Sequence, residues 1–259
     1  MPRPWTEKER KQKLAEIQRF YVAEERTIRE VGKTLGISEK TVFQRLKRFG
    51  IPSNSKLKRR QDIRLPRGYT ADLAEFFGVM LGDGKLSHFQ IAVNLGTKEM
   101  FYAEYLVGLI YGIFNAKPKV AIRKNGYRDV YLGSVAVTDW LKGEGLVYNK
   151  VLSQVNAPRW IMNNEDFTRR FLRGFFDTDG SVYRLRWGMQ VEFTNASAPL
   201  LKSVRNMLIY LGYAPSRVSG QRVYLTKKLD VSRFFRQIKP QNRKHRLRFE
   251  NFIKNRAVT

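Results

Sequence analysis

Leu73-Ala74-Glu75-Phe76-Phe77-Gly78-Val79-Met80-Leu81-Gly82-Asp83-Gly84 and Phe171-Leu172-Arg173-Gly174-Phe175-Phe176-Asp177-Thr178-Asp179-Gly180 are two versions of one segment. Each is apolar nearly all round, has a glycine five residues before its last aspartate, and ends in Asp-Gly. A helix that is apolar on every side is buried. Gly78 and Gly174 remove side chains where two helices could cross closely. Gly84 and Gly180 are expected as left-handed caps that end each helix. The pair therefore predicts two buried, adjacent helices with Asp83 and Asp179 at their C-terminal ends. That is a poor place for two carboxylates, because the helix dipole is negative there and the anions are close together. Either a proton is held unusually tightly or a divalent cation neutralises the pair.

The similarity extends beyond these segments. Val130-Tyr131-Leu132 follows Asp83 at nearly the distance at which Val223-Tyr224-Leu225 follows Asp179. Val137–Leu141 and Val231–Phe235 are likewise in step, as are Lys150 and Lys244. Several matches in one order indicate an internal repeat. Each copy reads as helix, hairpin, helix, hairpin, helix. In the second, residues 181–187 and 189–195 form a hairpin around Gly188, and 199–211 is an amphipathic helix. Residues 217–219 and 222–226 are expected to pair across Gly220-Gln221, ahead of a helix over 230–238. The first copy has a shorter first hairpin over 85–94. Each copy thus predicts a four-stranded antiparallel sheet with one face on helices and the other free to be polar. Alternation along Val182, Arg184, Arg186 and along Gln190, Glu192, Thr194 is expected to place polar side chains on that free face.

Lys and Arg number 49 against 23 Asp and Glu, a formal charge of +26. Self-repulsion of that size is relieved by a polyanion, which makes nucleic acid the expected partner. No long apolar run or basic amphipathic anchor suggests a membrane. The chain has no cysteine and only two histidines, His88 and His245. Disulfides, thiol catalysis and Cys- or multi-His metal sites are excluded. Any metal must be held by oxygen, which points to a hard cation such as Mg²⁺, with Mn²⁺ as a substitute. The start, Met1-Pro2-Arg3-Pro4-Trp5, has no apolar core of a secretory signal, so an intracellular location is expected: cytoplasm or nucleoid, or an organelle if the gene is organellar.

Residues 1–52 read as a separate all-helical domain. A charged helix over 7–24 carries Leu14, Ile17, Phe20 and Tyr21 at helical spacing. A second helix spans 27–35. Gly36 suits a tight turn, Ser38 an N-cap, and a third helix follows over 39–48. Ile28, Val31, Leu35, Ile37, Val42 and Leu46 are the expected core. Lys40, Thr41, Gln44, Arg45 and Arg48 are left for the outer face of the last helix. This arrangement looks like a helix-turn-helix, whose second helix enters the major groove. Residues 53–68, rich in Pro, Ser and basic side chains that include Arg59 and Arg60, read as a linker able to run along phosphates.

The paired segments resemble the two motifs of the LAGLIDADG homing endonucleases, and the resemblance covers about residues 70–255. The fold it implies, with the composition reading, is α+β: two pseudo-symmetric αββαββα repeats, 69–162 and 163–259, with antiparallel saddle-shaped sheets behind the helix-turn-helix domain. In that family each motif helix ends in an acidic metal ligand beside the scissile phosphate, the two helices form the central interface, and the sheets lie in the major groove. The acids map onto Asp83 and Asp179, with Gly82 and Thr178 adjoining them in the implied metal site. Basic residues late in each repeat support cleavage, and these map onto Lys150 and Lys244, with Arg243 able to stand in for the latter. Leu81 departs from the motif at an earlier acidic position that the second copy keeps as Asp177. The expected DNA-reading side chains are Gln90, Arg123 and Arg128 in the first sheet, and Arg184, Arg186, Gln190, Thr194, Arg217 and Arg222 in the second.

The resemblance implies a monomer that cuts both strands of one long double-stranded DNA site and leaves short 3′ overhangs. Two other readings share the scaffold: a DNA-binding transcriptional regulator that does not cut, and a maturase whose partner is an intron RNA. A regulator would be expected to lose the helix-end acids, and both are present. An N-terminal helix-turn-helix leans toward duplex DNA rather than RNA.

Overall fold

The computed structural model describes residues 5–52, 62–150 and 152–257. The chain divides into two compact units, Met1–Arg60 and Gln61–Thr259.

In the first unit, α1 (Glu7–Ile17) begins at a capping box in which Thr6 and Glu9 exchange hydrogen bonds. It runs into one π-helical stretch, Gln18–Ala23. A second capping box, Thr27 with Glu30, starts α2 (Ile28–Leu35). Gly36 then turns the chain at φ 63°, which only glycine adopts without strain. Ser38 caps α3 (Glu39–Arg48) by accepting from Thr41 N–H. Ile17, Tyr21, Val31, Val42 and Leu46 are buried together, with Ile28, Leu35 and Ile37 packed against them.

The second unit opens with α4 (Ala71–Leu81), followed by β1 (Gly84–Leu86) and β2 (Gln90–Leu95). Then come α5 (Met100–Phe114), β3 (Lys119–Ile122), β4 (Arg128–Gly133) and α6 (Val135–Gly143). The four strands form one antiparallel sheet in the order β1-β2-β4-β3. After a single turn, α7 (Arg159–Met162), the sequence of elements repeats: α8 (Glu165–Asp179), β5 (Gly180–Leu185), β6 (Gly188–Thr194), α9 (Ala198–Tyr210), β7 (Arg222–Leu225) and α10 (Lys228–Gln237). A further helix, α11 (Arg243–Ala257), closes the described chain. Both sheets bury alternate residues, Ile91, Val93 and Leu95 in one and Met189, Val191 and Phe193 in the other, in a single apolar core shared with the helices.

Two expectations are corrected. The second sheet has three strands among the described residues, in the order β5-β6-β7, and residues 217–219 contribute only the bridge Ser219–Arg222. The cause is Ser216. Its N–H donates to Tyr224 O, but Tyr224 N–H is taken by Ser216 Oγ rather than by a backbone carbonyl, so the ladder stops there. Gly84 and Gly180 are not left-handed caps; Gly180 is extended, at φ −93° and ψ 158°. They are required because each strand leaves its helix at once. A Cβ at Gly84 would lie 2.7 Å from Met80 Sδ, and one at Gly180 2.7 Å from Phe176 Cγ, with backbone atoms closer still.

Candidate functional site

The site is built where α4 meets α8. A Cβ on Gly78 would fall 2.7 Å from Phe175 N and closer to Phe171 O, and one on Gly174 3.0 Å from Val79 N and closer to Glu75 O. The two backbones touch, so whatever ends one helix stands beside whatever ends the other. A buried ion cluster fixes the crossing at its other end. Glu75 is fully buried, accepts from Tyr105 OH and Arg170 Nε at 2.5 Å each, and pairs with Arg173 at 3.4 Å. Burial raises its carboxyl, against the pull of both guanidiniums. The sequence reading missed this cluster, although a glutamate inside an all-apolar segment was the available signal.

At the C-terminal ends, Asn195 ties Asp179 to the carbonyl of Leu81 at the end of α4, and the Asp83 and Asp179 carboxyls act on each other's hold on a proton. Asp179 ends α8 and is half-buried; Asp83 follows Gly82, the C-cap of α4, and keeps one side open to solvent. Burial pushes Asp179 up to about 7; the Asn195 hydrogen bond opposes this, and the Asp83 charge adds to it. Burial also raises Asp83, opposed by Lys150 and Lys244. Near neutral pH Asp179 therefore stands close to its own midpoint, with the Asp83 charge disfavouring its ionisation. Asn195, at the end of β6, donates to Asp179 Oδ2 at 2.6 Å and was not foreseen. No repeat or charge pattern marks it.

Lys150 reaches back to this point. Its ammonium donates to Met80 O at 3.2 Å and to Gly82 O. Burial lowers its affinity for the proton, opposed by the charges of Asp179 and Asp83. Lys244 is placed differently: its Nζ pairs with Glu99 Oε1 at 2.8 Å. Glu99 also accepts from Gly96 N–H at 2.6 Å and Asn242 Nδ2 at 2.5 Å. Asp177 is buried and accepts from the N–H groups of Gln241 and Asn242 at 2.8 and 3.0 Å. Burial pushes its carboxyl up to about 8 against those two bonds. It braces the segment that carries Lys244.

Among the described residues no group of three or more His, Cys, Asp or Glu gathers that could hold a metal. The oxygen donors that fit a hard divalent cation are the two carboxylates and the Gly82 carbonyl, which already attracts the Lys150 ammonium. Thr178 Oγ1 donates to Gly174 O and Phe175 O within its own helix, so its hydroxyl serves α8.

The free sheet faces are polar. Across the first sheet, Lys85, Ala92, Tyr131 and Lys119 stand in one row. A groove of about 500 Å³ lies over this face, lined by Lys85, Gln90, Asn94, Arg123, Asp129 and Tyr131 among others. Asp129 holds Arg123 at 2.7 Å and also bonds Asn94. On the second sheet, buried Glu192 gathers Tyr183 OH at 2.7 Å, Gln190 Nε2 at 3.1 Å, Thr194 Oγ1 at 3.3 Å and Arg222 Nε at 3.7 Å. Arg217 is exposed beside β7.

Three expected reading residues are placed otherwise. Arg128 shares the side of buried Val130, and its guanidinium donates to Thr97 O at 2.6 Å. Arg184 shares the side of buried Val182, so it lies opposite Tyr183 and Gln190. Arg45 turns inward, 3.7 Å from Glu16 and over the Trp5 ring, because Val42 and Leu46 pull that side of α3 into the core. Lys40, Gln44 and Arg48 are exposed on α3, with Thr41 half-buried beside Ser38; Phe43 and Lys47, which were not foreseen, are exposed with them. Arg186 is in the β5–β6 turn, 4.8 Å over the Trp187 ring. Arg59 and Arg60 lie outside the described residues.

Residues 166–239 match the family model of a LAGLIDADG-like domain. That stretch runs from the first turn of α8 to just past α10 of the second repeat. No curated protein sequence matches the chain. Among solved structures, the homing endonuclease I-DmoI in complex with DNA and Ca is 17% identical, with a TM-score of 0.47 over 65% of this chain and 88% of that one. The homing endonuclease I-WcaI bound to its DNA recognition sequence is 15% identical, with a TM-score of 0.47 over 75% and 92%. The N-terminal LAGLIDADG domain of DUF199/WhiA is 17% identical, with a TM-score of 0.46 over 68% and 86%.

Proposed function

We propose that this protein is a divalent-metal-dependent DNA endonuclease that makes a double-strand break at one long site, built on two LAGLIDADG-type repeats. The observation that carries the reading is the meeting of Asp83 and Asp179, one from each repeat, at a helix crossing held by Gly78 and Gly174. Two carboxylates forced together and partly stripped of water are costly unless a cation or a proton is shared between them.

Asp83, Asp179 and the Gly82 carbonyl are the groups that would hold Mg²⁺. The bound ion supplies an activated water and charge stabilisation at the leaving oxygen. Asn195 orients the Asp179 carboxylate. The ammonium groups of Lys150 and Lys244 act on the charge of Asp83 and stand ready to stabilise negative charge developing on a phosphate oxygen. The basic rims of the two sheets, Lys85, Lys119, Arg123 and Arg222, meet phosphates, and Asn94, Tyr183, Gln190 and Thr194 face base edges. In this reading α3 of the N-terminal unit, through Lys40, Gln44 and Arg48, adds contacts outside the core site.

The test is selection of cleaved sites from randomised duplex DNA in Mg²⁺. Recovery of one long site with staggered 3′ ends supports the reading. A protein that enriches a bound site but leaves every duplex intact in Mg²⁺ and in Mn²⁺ is a regulator, and preference for a structured RNA over duplex DNA makes it a maturase.

A further inference from the structure

The two lysines occupy related places in the repeats but are held in unlike ways. Lys150 lies on the carbonyls of Met80 and Gly82, at the end of its own motif helix. Lys244 is engaged across the molecule by Glu99, an acid of the first repeat at the N-terminus of α5. The reason lies in the motifs. Asp177 of the second repeat takes the N–H groups of Gln241 and Asn242, and its own carbonyl accepts Asn242 Nδ2 at 3.0 Å. The matching residue in the first repeat is Leu81, buried and apolar, which offers no side-chain acceptor to the segment before Lys150. Asn242 therefore joins Asp177 to Glu99, and Glu99 in turn fixes the ammonium two residues further on.

We propose that Glu99 is the positioning residue of Lys244, and that the two repeats form unequal cutting centres, one served by Lys150 directly and one served by Lys244 through Glu99. The proposal rests on the nuclease reading above. Glu99 is well placed for the role. Its side chain is 14% exposed, against 38% for Lys244, so the acid is the fixed partner and the lysine the one being held. A lysine stem loses much rotamer freedom when its head is fixed, so an unanchored Lys244 disperses among solvent conformers. Glu99 also accepts from Gly96 N–H, which locks the carboxylate before Lys244 meets it. The charges of both Glu99 and Lys244 reach Asp83.

The experiment uses the full chain and a duplex carrying the site recovered by the selection, with each strand labelled separately, in single turnover with Mg²⁺. Glu99→Gln keeps one acceptor oxygen, enough for Gly96 N–H or for Asn242 but not for both, and loses the charge that holds Lys244. It is expected to slow one strand about tenfold, equivalent to about 1.4 kcal/mol in the barrier, and to leave the other unchanged, so that nicked duplex accumulates. Lys244→Met is expected to slow the same strand, and the double variant to be no slower than Lys244→Met alone. Equal slowing of both strands, or multiplying effects in the double variant, overturns the proposal. Duplex affinity and melting temperature of Glu99→Gln separate loss of fold from loss of positioning. A parent protein that cuts neither strand overturns the nuclease reading itself, and that outcome is visible before any variant is made.

Discussion

Gly174→Ala sets two physical effects against each other. Alanine is the better residue inside a helix by about 1 kcal/mol, so α8 alone predicts a more stable protein. The crossing predicts the reverse. An added Cβ at 174 would sit 3.0 Å from Val79 N and closer to Glu75 O, where the neighbours are backbone and no rotamer change relieves them. Carbon contacts are comfortable at about 3.5–4.0 Å, so the helices must part by roughly 1 Å. Parting them also loosens the buried contacts of Glu75 with Arg170 and Arg173. Overpacking of this kind costs up to about 3 kcal/mol, which leaves about 2 kcal/mol of net destabilisation after the helix gain. In a domain of this size that is a fall in Tm of roughly 4–8 °C. Gly108 of α5 is the control: it is solvent-exposed, and an added Cβ meets nothing within 4 Å. Gly108→Ala should therefore raise stability by about 0.5–1 kcal/mol. Circular-dichroism melts of the three proteins check the pair of signs. A Gly174→Ala protein as stable as its parent would refute a backbone-to-backbone crossing, and with it the argument that brings Asp83 to Asp179.

Three other outcomes follow from the same contacts. Asp179 binds its proton more tightly folded than unfolded, so its stabilising contribution is full below about pH 4 and is lost as pH rises through about 7. The stability of Asp179→Asn relative to the parent should thus increase from pH 4 to pH 8 in urea unfolding with chelator present; a flat difference contradicts it. Asp177→Ala leaves the Gln241 and Asn242 N–H groups without their acceptor, at about 1–3 kcal/mol each, and hydrogen exchange should show the loss concentrated at residues 239–244. Arg123→Ala and Arg222→Ala should each lower the salt slope of duplex binding by about 1, whereas Arg128→Ala, whose guanidinium serves Thr97 O, should leave the slope unchanged in anisotropy titrations.

The helix pair was readable because it is written twice. An apolar run with an inset glycine and a terminal Asp-Gly has few other uses, and the repeat fixed the order of the later elements. What was not readable depended on which side of an element faces the core. Arg184 and Arg128 look like their neighbours in a list of basic strand residues, yet Val182 and Val130 place them on the buried side of their strands. Arg45 sits one residue from Gln44, and that one residue turns it from solvent to Glu16. The fourth strand of the second sheet was lost to a single serine, whose hydroxyl took a backbone N–H that pairing needed. Glu99 and Asn195 reach the site through long-range contacts, Glu99 with Asn242 and Asn195 with the carbonyl of Leu81, and local pattern carries no trace of such partners.

In the proposed function the Asp83–Asp179 pair cuts DNA rather than merely joining two repeats. Linearisation of a supercoiled plasmid bearing the selected site, with Mg²⁺, tests it in the parent and in the Asp83→Asn and Asp179→Asn variants. Linear product is expected from the parent alone, with duplex affinity retained in both variants. Binding without linearisation by all three proteins, or linearisation by all three, contradicts it.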